Sequence, residues 1–255
     1  MFAIDPLHAL IAAQVSRSLI LCLVRCSSAP RVLGDRKMTK LRDAQRQLTK
    51  AVVFDVGGVL IDLHSEVAGH ELTEKYGFPS ETFAGLTRSS FLSGSKSITE
   101  LAMIGRVGTA EYLDAFLNEC SVKDLNGLRL NRLSVVGRER TNVFAVVREL
   151  KQAGLICCVL SNTIALHWEK LSSVSEYPSF ALFDHIFASY LIKCAKPQKE
   201  SFLFVANALN IAMSECLLVD DSPLNVDGAK AAGWQALLFR DAAQLERDLN
   251  DLLCY

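Results

Sequence analysis

Four short stretches of this 255-residue chain carry side chains suited to handling an oxyanion or a cation. Asp55 follows the apolar run Ala51-Val52-Val53-Phe54 and precedes Gly57-Gly58. Ser161-Asn162 closes the run Leu155–Leu160. Lys196 stands before Pro197, and Asp220-Asp221 closes the run Cys216–Val219. A carboxylate on the turn after a buried strand can act as a nucleophile or a metal ligand. Two adjacent acids after an apolar strand are costly unless a cation or hydrogen bonds offset them. Asp55 with Asp221 would make an oxygen-rich site suited to Mg²⁺, with Asp220 beside it. A Ser161 hydroxyl next to a free backbone N–H suits a phosphate oxygen. Lys196 could neutralise both Asp55 and a phosphate. Taken singly, each has a plain structural reading: a strand-end Asp, a Ser-Asn turn, a solvated lysine. The combination carries the weight.

The elements that would position these groups are five apolar runs: residues 51–54, 155–160, 185–189, 216–219 and 235–239. Helical spacing falls between them, over Thr141–Gln152, Lys199–Leu209, Leu224–Ala232 and Asp241–Leu252. Strands alternating with helices predict an α/β fold with a parallel sheet covered on both faces. Ligands of such sheets sit beyond the carboxyl ends of the strands, where Asp55, Ser161 and Asp220-Asp221 all fall. From Leu63 to about Arg140 no strand is predicted. That interval is rich in helix formers, with breaks at Gly77-Phe78-Pro79, Gly94 and Gly105–Gly108. It is too long for a crossover and too apolar for a linker, so it reads as a helical insert covering the strand ends.

Phe54–Leu60 (FDVGGVL), Leu160–Thr163 (LSNT), Lys196-Pro197 followed by Phe202, and Val219–Asn225 (VDDSPLN) with Gly228-Ala229 together resemble the four motifs of the haloacid dehalogenase-like superfamily. His167-Trp168, Tyr177-Pro178 and Phe183–Ile186 look like the superfamily's bacterial sugar-phosphate phosphatases. The phosphatase domain of soluble epoxide hydrolase is similar too. The resemblance covers about residues 51–239. It implies a Rossmann-like parallel five-stranded core (51–62 and 141–255), an inserted helical cap (63–140), and a Mg²⁺-dependent phosphohydrolase acting on a small phosphomonoester. Carried over residue by residue, the catalytic groups are Asp55 as the nucleophile that becomes an aspartyl-phosphate, Ser161 and Lys196. Ser161, Asn162 and Lys196 hold the substrate. Asp55, the Gly57 backbone carbonyl, Asp221 and Asp220 serve the metal. The alternative is a catalytically weak relative with a binding or regulatory role.

Gly57 motivates that alternative. The superfamily usually has a second Asp there, whose carbonyl binds the metal and whose side chain protonates the leaving group and then activates water. Glycine keeps the carbonyl and loses the acid. Such acid-base help is typically worth about 10²–10⁴-fold in rate. The similar sugar-phosphate phosphatases share this glycine, so loss of activity does not follow. Asp62 and His64, just past the motif, are candidate substitutes. Arg88, Lys96 and Arg106 are the candidate insert residues for greeting an anionic substrate, against a plain reading as solvated helix faces.

Composition is that of an ordinary globular protein, 50% hydrophobic and 22% charged, with a net charge of −1. No global field favours nucleic acid or an acidic membrane, and neither is expected as a partner. Residues 1–50 nevertheless carry nine Lys or Arg against three Asp, while the remainder carries 18 basic and 25 acidic residues. Within 1–37, Arg17 interrupts the apolar stretches, which argues against a membrane span. Two readings stay open: a mitochondrial presequence, or an inert extension ahead of Met38. Eight scattered cysteines without a CxxC pair point to reduced thiols and an intracellular, cytoplasmic or mitochondrial, location.

Overall fold

The computed structural model describes residues 49–87, 91 and 96–253. The amino-terminal extension up to residue 48, Arg88 and the break at Gly94 lie outside the described residues. The described chain opens with β1 (Ala51–Phe54) and β2 (Ile61–Leu63). Five helices follow: α1 (Ser65–Tyr76), α2 (Ser80–Thr87), α3 (Ile98–Met103), α4 (Thr109–Glu119) and α5 (Leu125–Ser134). Next come β3 (Val136–Glu139), α6 (Thr141–Gln152), β4 (Ile156–Ser161), α7 (Ala165–Leu171), β5 (His185–Ala188), α8 (Ser189–Ile192) and α9 (Lys199–Leu209). β6 (Cys216–Asp220), α10 (Pro223–Ala232), β7 (Gln235–Leu238) and α11 (Ala242–Leu253) complete it.

The five predicted strands form one parallel sheet in the order β5-β4-β1-β6-β7. All four β1 side chains are buried. Alternation sends Val52 and Phe54 to one face, against Val143, Val147 and Leu150 of α6 and Leu245 and Leu249 of α11. Val53 goes to the other, against Phe202 and Val205 of α9 and Ala229 of α10. The chain leaves β1 for β4 and β5 on one side, then returns to β6 and β7 on the other. That reversal opens a crevice at the carboxyl ends of β1, β4 and β6. All four predicted helices shift by at most one residue at either end. Pro223, at the first turn of α10, fits because it has no N–H to leave unpaired.

The interval 63–140 holds one strand that the sequence reading missed. β3 pairs antiparallel with β2, Ile61 opposite Glu139 and Leu63 opposite Val136. Neither strand exceeds four residues, so no alternation announces it. The pair forms because the two ends of the insert meet in space. The five helices between them carry an apolar cluster that includes Leu72, Phe78, Tyr112, Phe116 and Leu128, to which Ile164 and Leu166 contribute. Breaks fall at Gly77 and Gly105 as predicted. The break before α5 has no glycine and is set instead by Asp124, whose carboxylate accepts the Gly127 N–H at 3.0 Å. Among the described residues, no helix is long and apolar enough to cross a membrane.

Candidate active site

Strand pairing brings the predicted residues to one place. Asp55 leaves β1 with its N–H donated to Val219 of β6 at 2.9 Å, so its turn is pinned to the neighbouring strand. Lys196 is fully buried, and its Nζ donates to Asp55 Oδ1 at 2.8 Å and Asp220 Oδ2 at 2.6 Å. Asp220 also accepts from the Ser222 N–H and from Asn225 Nδ2, both at 3.0 Å, so both its oxygens are occupied by the protein. Carboxylate oxygens of Asp55, Asp220 and Asp221 lie within 4.8 Å of one another. Two glycines make the closeness possible. A Cβ on Gly58, whose φ is +81°, would overlap the Asp221 carboxylate. One on Gly228 would come within 2.6 Å of Pro197.

Asn162 has a different immediate partner from the one its expected role suggests. Its Oδ1 accepts the Lys196 N–H at 2.9 Å and its Nδ2 donates to the Lys196 carbonyl at 2.7 Å. This two-way clamp fixes the lysine backbone. Beyond it, the Thr163 N–H donates to Ser189 Oγ at 3.0 Å, tying the loop after β4 to the start of α8.

The electrostatics follow from burial. Desolvation pushes Asp55 up to about 7, Lys196 pulls it back, and the Asp220 charge raises it again. Asp221 is raised by desolvation and then by Asp220. Burial alone would lower Lys196, but the Asp220 and Asp55 charges outweigh it and hold the ammonium above its usual value. One lysine thus faces three acids, a surplus of negative charge that a hard cation would offset.

These groups open into a cavity of about 480 Å³. From the sheet side Asp55, Gly57, Ser161, Asn162 and Asp221 line it; Phe83, Thr99, Met103, Tyr112, Arg132 and His167 supply the opposite wall. Asp62 and His64 do not line it. Asp62 instead accepts from Arg140 Nε at 2.7 Å, and His64 points to a separate surface depression. Their proposed substitution for the missing acid gains no support. Arg106 is exposed and Lys96 lies over the Phe91 ring at 5.4 Å, so neither reaches the cavity. The sequence reading missed Arg132, which sits in α5 without a motif around it. A side chain against Gly57 would meet Leu63 Cδ1 at 2.8 Å: leucine fills the room where an acid would begin.

The model of the haloacid dehalogenase-like hydrolases matches residues 49–233. The chain belongs to this family. This haloacid dehalogenase-like hydrolase is 27% identical over 211 residues to "Phosphatase MT3486" of Mycobacterium tuberculosis, covering 79% of the chain and 94% of that protein. Family and relative make it an enzyme of the phosphatase type. A HAD family enzyme of Bacteroides thetaiotaomicron, solved with magnesium and inorganic phosphate, shares its fold with a TM-score of 0.63 and 22% identity, over 77% of this chain and 98% of that one. An L-2-haloacid dehalogenase of Xanthobacter autotrophicus also matches, with a TM-score of 0.53 and 20% identity over 80% and 83% of the two chains. Fold alone therefore does not separate the two chemistries.

Proposed function

We propose that the protein is a Mg²⁺-dependent phosphomonoesterase working through an aspartyl-phosphate. The observation that carries this is the buried Lys196 bridging Asp55 and Asp220 beside the more open Asp221. An Asp55 oxygen attacks phosphorus, the P–O bond to the leaving alcohol breaks, and water then cleaves the acyl phosphate to give inorganic phosphate. Lys196 orients Asp55 and reduces the charge of the incoming phosphoryl group. Ser161 binds a phosphoryl oxygen, and Asn162 serves chiefly by holding Lys196. Asp55, Asp221 and the Gly57 carbonyl would hold the ion, with Asp220 keeping the lysine in place. The donor set fits, being all hard oxygens gathered within 4.8 Å, with the Asp55 and Asp221 carboxyls raised first by burial and then by the Asp220 charge. When bound, Mg²⁺ supplies positive charge that screens the repulsion between nucleophile and phosphate.

With Gly57 unable to protonate a leaving group, the favoured substrates are small phosphomonoesters with good leaving groups, such as anomeric sugar phosphates. The helices of 63–140 act as the cap that encloses them. A low-turnover binding or regulatory protein is the second reading, and Gly57 favours it. A 2-haloacid dehalogenase is disfavoured, since that chemistry has no use for the acid pair. An intracellular setting fits the buried thiols, Cys157 and Cys216 being pushed up to about 12 by burial. The choice between cytoplasm and mitochondrion rests on residues 1–37.

A phosphate-release panel, run with Mg²⁺ and with chelator, tests the proposal. Turnover should require the ion and disappear in Asp55→Asn. Release that persists in that variant, or no release from any compound, overturns it.

A further inference from the structure

Among the described residues, a cation in the cavity wall, Arg132, has no counter-charge. Arg132 is 5% exposed, and its Nη1 has no hydrogen-bond partner among the described residues. Its Nε donates to the Tyr112 hydroxyl at 3.2 Å, and the guanidinium lies over the Phe116 and Phe83 rings at 4.9 and 5.9 Å. No carboxylate among the described residues comes within ion-pair distance of it. Aromatic faces and one neutral hydroxyl offset only part of the cost of burying a guanidinium. The residue is nevertheless held firmly. His167 Nε2 donates to the Arg132 carbonyl at 3.0 Å, and Lys170 Nζ donates to the Leu133 and Val136 carbonyls, joining α5 to α7. A fixed, desolvated cation with an unpartnered N–H, on a residue that lines a ligand cavity, is arranged for an anion that the described residues do not provide.

We propose that Arg132 receives a second negatively charged group of the substrate, a carboxylate or a second phosphoryl group, while the reacting phosphoryl group sits at Asp55. This rests on the phosphomonoesterase reading for the identity of the reacting group. It narrows the substrates to phosphomonoesters carrying another anion, and it explains an arginine that the hydrolytic step does not use. Apolar neighbours such as Phe83 and Met103 would cover the linking carbons.

Matched pairs test it on the full chain with Mg²⁺. 3-Phosphoglycerate against glycerol 3-phosphate reads a carboxylate, and glucose 1,6-bisphosphate against glucose 1-phosphate reads a phosphoryl group. At least one doubly anionic member should have a kcat/KM higher by roughly 10- to 100-fold, the range of a charge-assisted hydrogen bond. Arg132→Met should collapse that ratio to near unity, mainly through KM, and Arg132→Lys should restore part of it. Ratios near unity in the wild type, or a ratio that survives Arg132→Met, overturn the inference. Should Arg132→Met not fold, the wild-type ratios and Arg132→Lys decide alone. Calorimetric titration of the same pairs into Asp55→Asn measures the preference without turnover. A preference there, with no phosphate release by the wild type, would remove the phosphatase reading and leave the Arg132 anion site standing; no preference would remove the anion site alone.

Discussion

The two walls of the cavity handle buried charge in opposite ways. On the sheet side, Lys196 is surrounded by acids that neutralise it and fix its position. On the helical side, Arg132 has rings and a phenol but, among the described residues, no acid. The first arrangement leaves a surplus of negative charge and the second a surplus of positive charge. On the function and anion site proposed above, the ligand is bound at one end through metal and lysine and at the other through the guanidinium. The lesson is that net charge within a wall, more than the number of charged residues, tells what the wall is built to meet.

Breaking the compensated wall should have the largest effect. Lys196→Met leaves two buried carboxylates facing each other, and we expect a loss of about 3–5 kcal/mol in denaturant unfolding, with phosphate release falling too. Added Mg²⁺ should recover part of that stability; a variant as stable as the wild type would show that the lysine is not the charge that holds the site together. Gly57→Asp sharpens the comparison by supplying the absent acid. Its φ lies outside the left-handed region and only the end of Leu63 must turn, so turnover of alkyl phosphates should rise by about 10²-fold relative to aryl phosphates. An unchanged ratio would mean that the leaving group is not waiting for a proton.

Gly58→Ala tests how tightly the acids are packed. A side chain at positive φ, overlapping Asp221, should cost at least about 1–3 kcal/mol in thermal or denaturant unfolding and weaken Mg²⁺ binding by calorimetry. The smallest effect belongs to the helical wall. Burial, and next the Arg132 charge, push His167 down to about 3. Its folded pKa lies below the unfolded value near 6.5. The stability it confers is therefore present above that value and lost as pH falls toward 3. Between pH 7 and 5.5 the wild type should lose about 1 kcal/mol more than His167→Gln does. Parallel pH curves for the two proteins would show that this wall carries no such charge.

Legibility divided along the same line. Lys196 comes from the loop beyond α8, whereas Asp55, Ser161 and Asp220-Asp221 stand at the ends of short apolar runs, and a parallel sheet sends the ends of its strands to one edge. Their convergence could be read before any coordinates. The same runs gave the five strands, most clearly β1, β4 and β6, whose Val, Leu and Cys buried on both faces leave a continuous apolar signature. Arg132 had no such marker. Its surroundings come from Phe83 in α2, Tyr112 and Phe116 in α4, and His167 in α7, each far from it in the chain. The β2–β3 pair was hidden for a related reason, since strands of three and four residues acquire meaning only when the ends of the insert meet.

What the sequence by itself determined is the order of the five core strands and the four helices read between and after them, and the residue types at the strand ends, because local burial and turn residues encode both. Only the tertiary structure decided that Asn162 clamps Lys196, that Asp62 is tied to Arg140, and that an arginine with no counter-ion among the described residues lines the cavity. Those outcomes depend on which distant side chains arrive at the same point, and hydrogen bonding and desolvation act across space irrespective of separation along the chain.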